Sequence, residues 1–290
     1  DIIEGRPYLG GAVFNLTAHL SLMGAGAAII SALGNDDLGR KALQDIQGYG
    51  IEADFIEKDH PRPTGTVDVF LDQKGHPDYT IHENTAWDNL SLGSIDLTTL
   101  SRESWDVFCV GTLAQRTEFN RNLLTRVFSA IDPTHVFYDV NLRQNYYDSE
   151  RISATLHRST IAKLNDDEVD VISQLFYKKP VSTPADEEAF VKSIYRQFNL
   201  QTVLVTRGGA GALVFDGSDF STTTCQKVTV VDTVGAGDSF SAGFLFSYLS
   251  GRTVHESAVF AGRIADFVVG KRGAIPEYTQ DIVRDLHELR

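Results

Sequence analysis

The sequence predicts an α/β protein: one three-layer α/β/α domain over residues 1–290, with a mostly parallel central sheet and a small separate β-sheet. Three observations predict it. Runs rich in β-branched residues alternate with segments whose apolar residues recur at helical spacing, the rhythm of parallel β-α units. One stretch breaks that rhythm: residues 64–81 alternate residue by residue around Lys74-Gly75, as a β-hairpin does. Finally, 290 residues with 42% apolar content can bury one large core, and neither a repeat nor a linker divides them.

Composition narrows the partners. Thirty-nine acidic against 26 basic residues leave a net charge of −13, which argues against a nucleic-acid surface and against electrostatic membrane binding. No run of about 18 apolar residues exists, so no membrane-spanning helix is expected. Cys109 and Cys225 lie in apolar or β-like contexts. Two unpaired thiols are expected, which suits a reducing, cytoplasmic compartment.

Along the chain, Gly10-Gly11 lead into a helix whose Leu16, Leu20 and Met23 share a face. A strand is expected at 27–32, then a loop and cap at Gly34-Asn35-Asp36-Asp37, then a helix stopped by Gly48 and Gly50. After the hairpin, strands are expected at 107–111 and 135–141 around a helix at 118–130. Thr112, Gln115 and Arg116 follow the first of these strands, and Asp139, Asn141 and Arg143 close the second. Ligands of parallel sheets bind at strand carboxyl ends, so these residues are site candidates. Taken alone, Arg143 equally suits a surface ion pair. Asn165 and Glu168 have the spacing of a capping box, before Val169, Ile172, Leu175 and Phe176 on one face. A helix at 184–198, a strand at 202–206, a glycine-rich turn at Gly208-Gly209-Ala210-Gly211, a strand at 212–215 and a helix at 257–269 complete the pattern.

The most informative stretch is 228–251. Val228, Thr229, Val230 and Val231 read as a strand, Gly235-Ala236-Gly237 as a tight turn, and Phe240, Phe244, Leu245, Tyr248 and Leu249 as a helix stopped by Gly251. Open N–H groups and the macrodipole at such a helix start attract anions, and glycines let a phosphate approach the backbone. Asp238 lies inside that site. A carboxylate there repels a polyphosphate unless cations screen it or it has a task. The task that fits is taking the proton of a hydroxyl that attacks a γ-phosphate. On spacing alone a second reading stands beside it, in which Asp238 only favours the helix dipole and the glycines only make a turn. A dinucleotide fingerprint is excluded because Phe240 stands where a third small residue is needed, and a P-loop because no Gly-Lys-Ser/Thr follows. A hydrolase elbow (Gly-x-Ser-x-Gly) and a His-Glu-x-x-His motif are also missing.

The words DTVGAGDSFSAGF resemble the C-terminal signature of the ribokinase-like (PfkB) carbohydrate kinases, closest to the fructokinase branch. The resemblance implies that Asp238 is the catalytic base and that the amides of Gly235, Ala236 and Gly237 form the anion hole. Gly10, Gly11, Ala12 and Asn15 match a Gly-Gly-Ala-Pro-x-Asn element that holds sugar hydroxyls, with Val13 in place of its proline. Asp1 falls where the family has a sugar-binding aspartate, and the family's first strand would lie before it. YDVNLR resembles the segment in which Asn141 and Arg143 would line the sugar pocket. Asn165 and Glu168 match an Asn-x-x-Glu motif tied to phosphate and, through water, to Mg²⁺. Thr206, Gly208 and Gly211 would line the nucleotide side. Asp232, Val234, Val268 and Gly273 match groups that hold a monovalent cation, K⁺. Residues 2–10 and 63–90 would form a β lid that keeps water out, and such lids often pair into a homodimer. The implied activity is ATP-dependent phosphorylation of a primary hydroxyl, first of all O6 of fructose. Ribose, 2-keto-3-deoxygluconate, nucleosides and sugar–amine adducts are the alternative substrates. A catalytically silent sugar-binding regulator is the alternative from another class.

Overall fold

The computed structural model describes residues 2–3, 6–71, 77–91 and 93–289. Asp1 lies outside the described residues. In chain order the first elements are β1 (Ile2–Ile3), β2 (Arg6–Pro7), α1 (Ala12–Leu22), β3 (Ser31–Gly34), α2 (Asp37–Gly48), β4 (Ile56–His60), β5 (Val67–Leu71), β6 (Pro77–Ile81), α3 (Ser94–Arg102), β7 (Val107–Gly111) and α4 (Glu118–Ala130). They are followed by β8 (His135–Asp139), α5 (Ser149–Leu156), β9 (Ile161–Asn165), α6 (Asp166–Tyr177), α7 (Pro184–Phe198), β10 (Thr202–Thr206), β11 (Ala212–Phe215), β12 (Phe220–Thr223), α8 (Ala236–Leu249), α9 (Val254–Val269) and α10 (Gln280–Leu289). The chain divides into two compact units, one of residues 1–103 and 116–132, the other of residues 104–115 and 133–290.

The first unit carries the expected hairpin. Strands β5 and β6 pair antiparallel from Val67 opposite Ile81 to Leu71 opposite Pro77, and β1 and β2 extend them into a four-stranded sheet ordered β2-β1-β5-β6. The strand expected at 27–32 begins only at Ser31, because its parallel partner β4 begins at Ile56, opposite it. Ala28 makes just an isolated bridge to Glu52. Asp36 caps α2 by accepting from Gly39 N at 2.7 Å, while its other oxygen accepts from Thr64 N at 2.8 Å, so one carboxylate ties the helix to the segment entering β5. Buried Arg116 grips Asp88 with two nitrogens, at 2.5 and 2.7 Å, and stacks its guanidinium 4.1 Å above the Trp87 ring. An arginine that read as a site candidate is therefore a structural anchor of this unit.

The second unit is built on a six-stranded sheet ordered β12-β11-β10-β9-β8-β7. Strands β7 to β10 run parallel, and β11 and β12 add antiparallel pairs at one side. Phe137, Tyr138, Ile161, Leu164 and Leu204 are buried, as expected where a parallel sheet is covered on both faces. Cys109 lies in this sheet, where burial and the nearby Asp139 charge push its thiol up to about 12, which leaves it inert. Helix α8 is buried at every position from Ser239 to Ser247, so it is a core helix rather than a surface one.

Two expectations change here. The cap at Asn165 and the helix after it stand as the sequence placed them, but the strand β9 over 161–165, immediately before the cap, was not expected. The second change concerns the strand expected at 228–231. That segment is irregular, and Val230 is 61% exposed. Among the described residues this β-branched run pairs with no strand. Instead, Val231 N and Asp232 N donate to Val269 O at the end of α9, at 2.8 and 3.2 Å.

Candidate active site

The ends of three parallel strands place the candidate residues. Strand β8 ends at Asp139, β9 at Asn165 and β10 at Thr206, with Asp139 opposite Lys163 and Asn165 opposite Thr206. Asn165 accepts from Glu168 N at 2.8 Å, and Glu168 Oε2 accepts from Asn165 N at 2.9 Å, so the capping box is complete. Its function goes further than a cap. Glu168 Oε1 accepts from Leu142 N at 2.7 Å, which pins the turn between Asn141 and Arg143 to the start of α6. Asn141 adopts φ 41°, a left-handed conformation that asparagine tolerates better than most residues. Arg143 is exposed and donates to Leu142 O at 3.0 Å.

Glu168 is buried, and burial with the neighbouring Asp139 charge raises its pKa against the pull of the two amides and Lys163. Each of its oxygens is needed as an acceptor. Glu168→Gln offers one acceptor where two N–H groups require one each, so its amide nitrogen must face a donor. The expected loss is about 1–3 kcal/mol of stability, measured by denaturant unfolding. An unchanged midpoint would show that the Leu142 turn does not depend on this carboxylate.

The glycine turn starts α8. Gly235 is its N-cap at φ 78°, and no side chain caps the helix. A Cβ at Gly235 would lie 2.6 Å from Ala274 Cβ and 2.8 Å from its Cα, so only glycine fits both the angle and the space. Asp238 stands in the first helical turn, with the exposed Gly237 before it. Asp232 Oδ1 accepts from Val234 N at 3.0 Å and Oδ2 from Gly273 N at 3.0 Å. Asp232 thus joins the turn to the loop after α9, where Lys271 N donates to Val268 O at 2.9 Å. Asp232, Val234, Val268 and Gly273 therefore belong to one joined region of backbone.

Beneath the turn lies a feature that was not expected. Lys163 sits in mid-strand and is 5% exposed. Its Nζ donates to both oxygens of Asp139, at 3.0 and 2.8 Å. A Cβ at Gly237 would lie 3.5 Å from that same nitrogen. Burial alone would lower the lysine pKa. Asp139 first, then Glu168 and Asp238, outweigh that and raise it, so the ammonium stays charged.

The other candidates fall in two places. Thr206 is followed by the exposed turn Gly208–Ala210, and Gly211 closes on β12 so tightly that a Cβ would lie 1.9 Å from Thr223 O. Gly10, Gly11 and Asn15 belong to the first unit. There Gly11 is the N-cap of α1 at φ 109°, and Asn15 is buried within that helix. Thr112 and Gln115, also candidates, are clamps: Thr112 Oγ1 donates to Val140 O at 2.5 Å, and Gln115 accepts from Thr155 Oγ1 at 3.0 Å.

A family model described as the pfkB family of carbohydrate kinases matches residues 4–281. The chain belongs to this family. Among curated relatives, a fructokinase of Salmonella typhimurium is 27% identical over 246 residues, covering 82% of this chain and 76% of the relative. A 2-dehydro-3-deoxygluconokinase of Haemophilus influenzae is 25% identical over 298 residues, covering 94% and 91%. Among solved structures, a sugar kinase of Pyrococcus horikoshii in complex with ATP superposes with a TM-score of 0.77 at 20% identity, covering 94% of this chain and 90% of that one. The α/β fold with its mostly parallel sheet is thus the fold of ribokinase-family kinases. The pfkB kinases named here act on different sugars, so membership fixes the class of the protein and leaves the acceptor open. No helix among the described residues is long and apolar enough to cross a membrane.

Proposed function

We propose that this pfkB-family protein transfers the γ-phosphoryl group of ATP to a primary hydroxyl of a small sugar, and that the sugar is fructose, phosphorylated at O6. The observation that carries the proposal is the uncapped start of α8, where Asp238 follows the Gly235-Ala236-Gly237 turn above a buried ammonium. Asp238 takes the proton of the attacking hydroxyl. That oxygen forms the new bond to phosphorus as the bond to the β-phosphate oxygen breaks, and ADP leaves with those electrons. The turn amides, fixed before the reaction, hold the charge that spreads over the γ-phosphoryl oxygens. Thr206, Gly208 and Gly211 border the nucleotide, Asn165 its phosphates. The four-stranded sheet serves as the lid.

Mg²⁺ fits this donor set as an ion carried on ATP. Mg²⁺ keeps most of its water and needs few protein ligands when carried on phosphate. Glu168 would receive its waters on the lone pairs that the two amides leave over. When bound with ATP, the ion would supply neutralisation of phosphate charge. K⁺ fits the joined backbone at Asp232, Val234, Val268 and Gly273, where a cation on oxygen ligands would hold the turn in place.

The sugar assignment has its own test. In this proposal Gly10, Gly11 and Asn15 bind hydroxyls of the sugar, and Asn141 and Arg143 bind others. Removing a polar partner leaves a hydroxyl of the bound sugar unpaired, at a cost of about 1–3 kcal/mol. Asn15→Ala and Arg143→Ala are therefore expected to raise the fructose KM about 5- to 150-fold with the ATP KM nearly unchanged. If both variants weaken ATP and leave fructose alone, the pocket assignment fails, and a panel with ribose and 2-keto-3-deoxygluconate identifies the acceptor.

A further inference from the structure

A lysine in the middle of a buried parallel strand needs a reason, because an ammonium leaves water only at high cost unless it is paired. Lys163 has a partner directly opposite it in Asp139, yet a strand pair alone is better served by two apolar residues, which often stabilise more. What distinguishes this pair is the third member. Ser241 Oγ lies 3.0 Å from Asp139 Oδ2 and 2.9 Å from Gly237 O, sharing its one proton between them. Asp139, Ser241 and Gly237 thus form a continuous polar chain from the sheet to the first turn of α8. Ser241 is fully buried and lies one helical turn after Gly237.

We propose that Lys163 is a positioning residue for phosphoryl transfer: through Asp139 and Ser241 it locks the carbonyl of Gly237, and with it the amides of the glycine turn, in the orientation that receives the phosphoryl group. The lysine also offsets carboxylate charge that would otherwise repel that group: its ammonium pairs with Asp139, and the charges of Glu168 and Asp238 add to the pull on it. Its own contacts are to Asp139, and it acts on the reaction through the turn. This deepens the phosphoryl-transfer proposal and rests on it.

The test compares the wild-type chain with Lys163→Met/Asp139→Asn, which leaves neither charge of the pair buried without its partner, and with Ser241→Ala, which keeps the ion pair and removes only the link. Two readouts are taken: steady-state kinetics with ATP, Mg²⁺ and a sugar panel, and amide hydrogen exchange of the ligand-free protein around Gly235, Ala236 and Gly237. The expected result for the double variant is a kcat about 10²-fold lower, with sugar and ATP KM within about threefold, and turn amides that exchange about tenfold faster. Ser241→Ala should move both readouts the same way by less. Wild-type exchange at the turn in both variants overturns the proposal, as does wild-type kcat in a variant that merely melts lower. A wild-type chain that phosphorylates no sugar sinks the kinase reading instead, while the exchange data still decide whether the lysine orders the turn. Should the double variant not fold, Ser241→Ala decides alone by the same two readouts.

Discussion

Asp238→Asn is expected to lower kcat by about 10²–10⁴-fold, with melting close to wild type. Asparagine has nearly the shape of aspartate and keeps an acceptor at the start of α8, so the helix and its packing are little disturbed. What it loses is the ability to take a proton as the sugar hydroxyl attacks. In the proposed site the nucleotide would be held by the turn amides and the neighbouring strand ends rather than by this carboxylate, so the loss should appear in kcat. Binding of ATP measured by calorimetry should therefore change little. The alternative role, in which Asp238 only complements the helix dipole, predicts the opposite pattern: about 0.3–1 kcal/mol less stability and nearly normal turnover.

The second large effect separates the two glycines. Gly235→Ala combines a left-handed angle with contact against Ala274, and is expected to cost roughly 2–4 kcal/mol of stability together with activity. Gly237 differs, because a Cβ there meets only the Lys163 ammonium at an ordinary 3.5 Å. Gly237→Ala should hold or raise stability by up to about 1 kcal/mol, since glycine is a poor helix former. In the proposed site the added side chain, most severely the branched one of Gly237→Val, would press on the Lys163 ammonium and shift the turn amides that receive the phosphoryl group, so kcat should fall about 10²-fold. A folded Gly237→Val variant with wild-type turnover would mean that the glycine serves only to start the helix.

Much of this was legible in the sequence for physical reasons. Strands such as β7 and β10 are short apolar runs rich in β-branched residues, and helices α4 and α7 stand at the bounds expected for them, each starting after a threonine cap, Thr117 and Thr183. The glycine turn was legible because its residue types have few other uses. The failures are equally specific. A β-branched run such as 228–231 signals an extended chain, but a strand also needs a partner, which no single stretch of sequence reveals. Strand β9 was hidden because Lys163 interrupts its apolar run and a capping box follows at once. The same interruption was the missed clue: a lysine in 161–165 and an aspartate closing 135–139 each put a charge into an otherwise buried strand, and two such charges imply each other. The second role of Glu168, on Leu142 N, depends on a contact 26 positions away and had no local signal.

The most direct measurement follows the phosphoryl group itself. The protein is incubated with γ-labelled ATP, Mg²⁺ and fructose, and the products are identified by phosphorus NMR. The expected result is one fructose 6-phosphate for each ADP formed. ADP without a phosphorylated sugar, or no turnover with fructose or any other sugar of the panel, would contradict the assignment of the Gly235 to Asp238 turn as a phosphoryl-transfer centre.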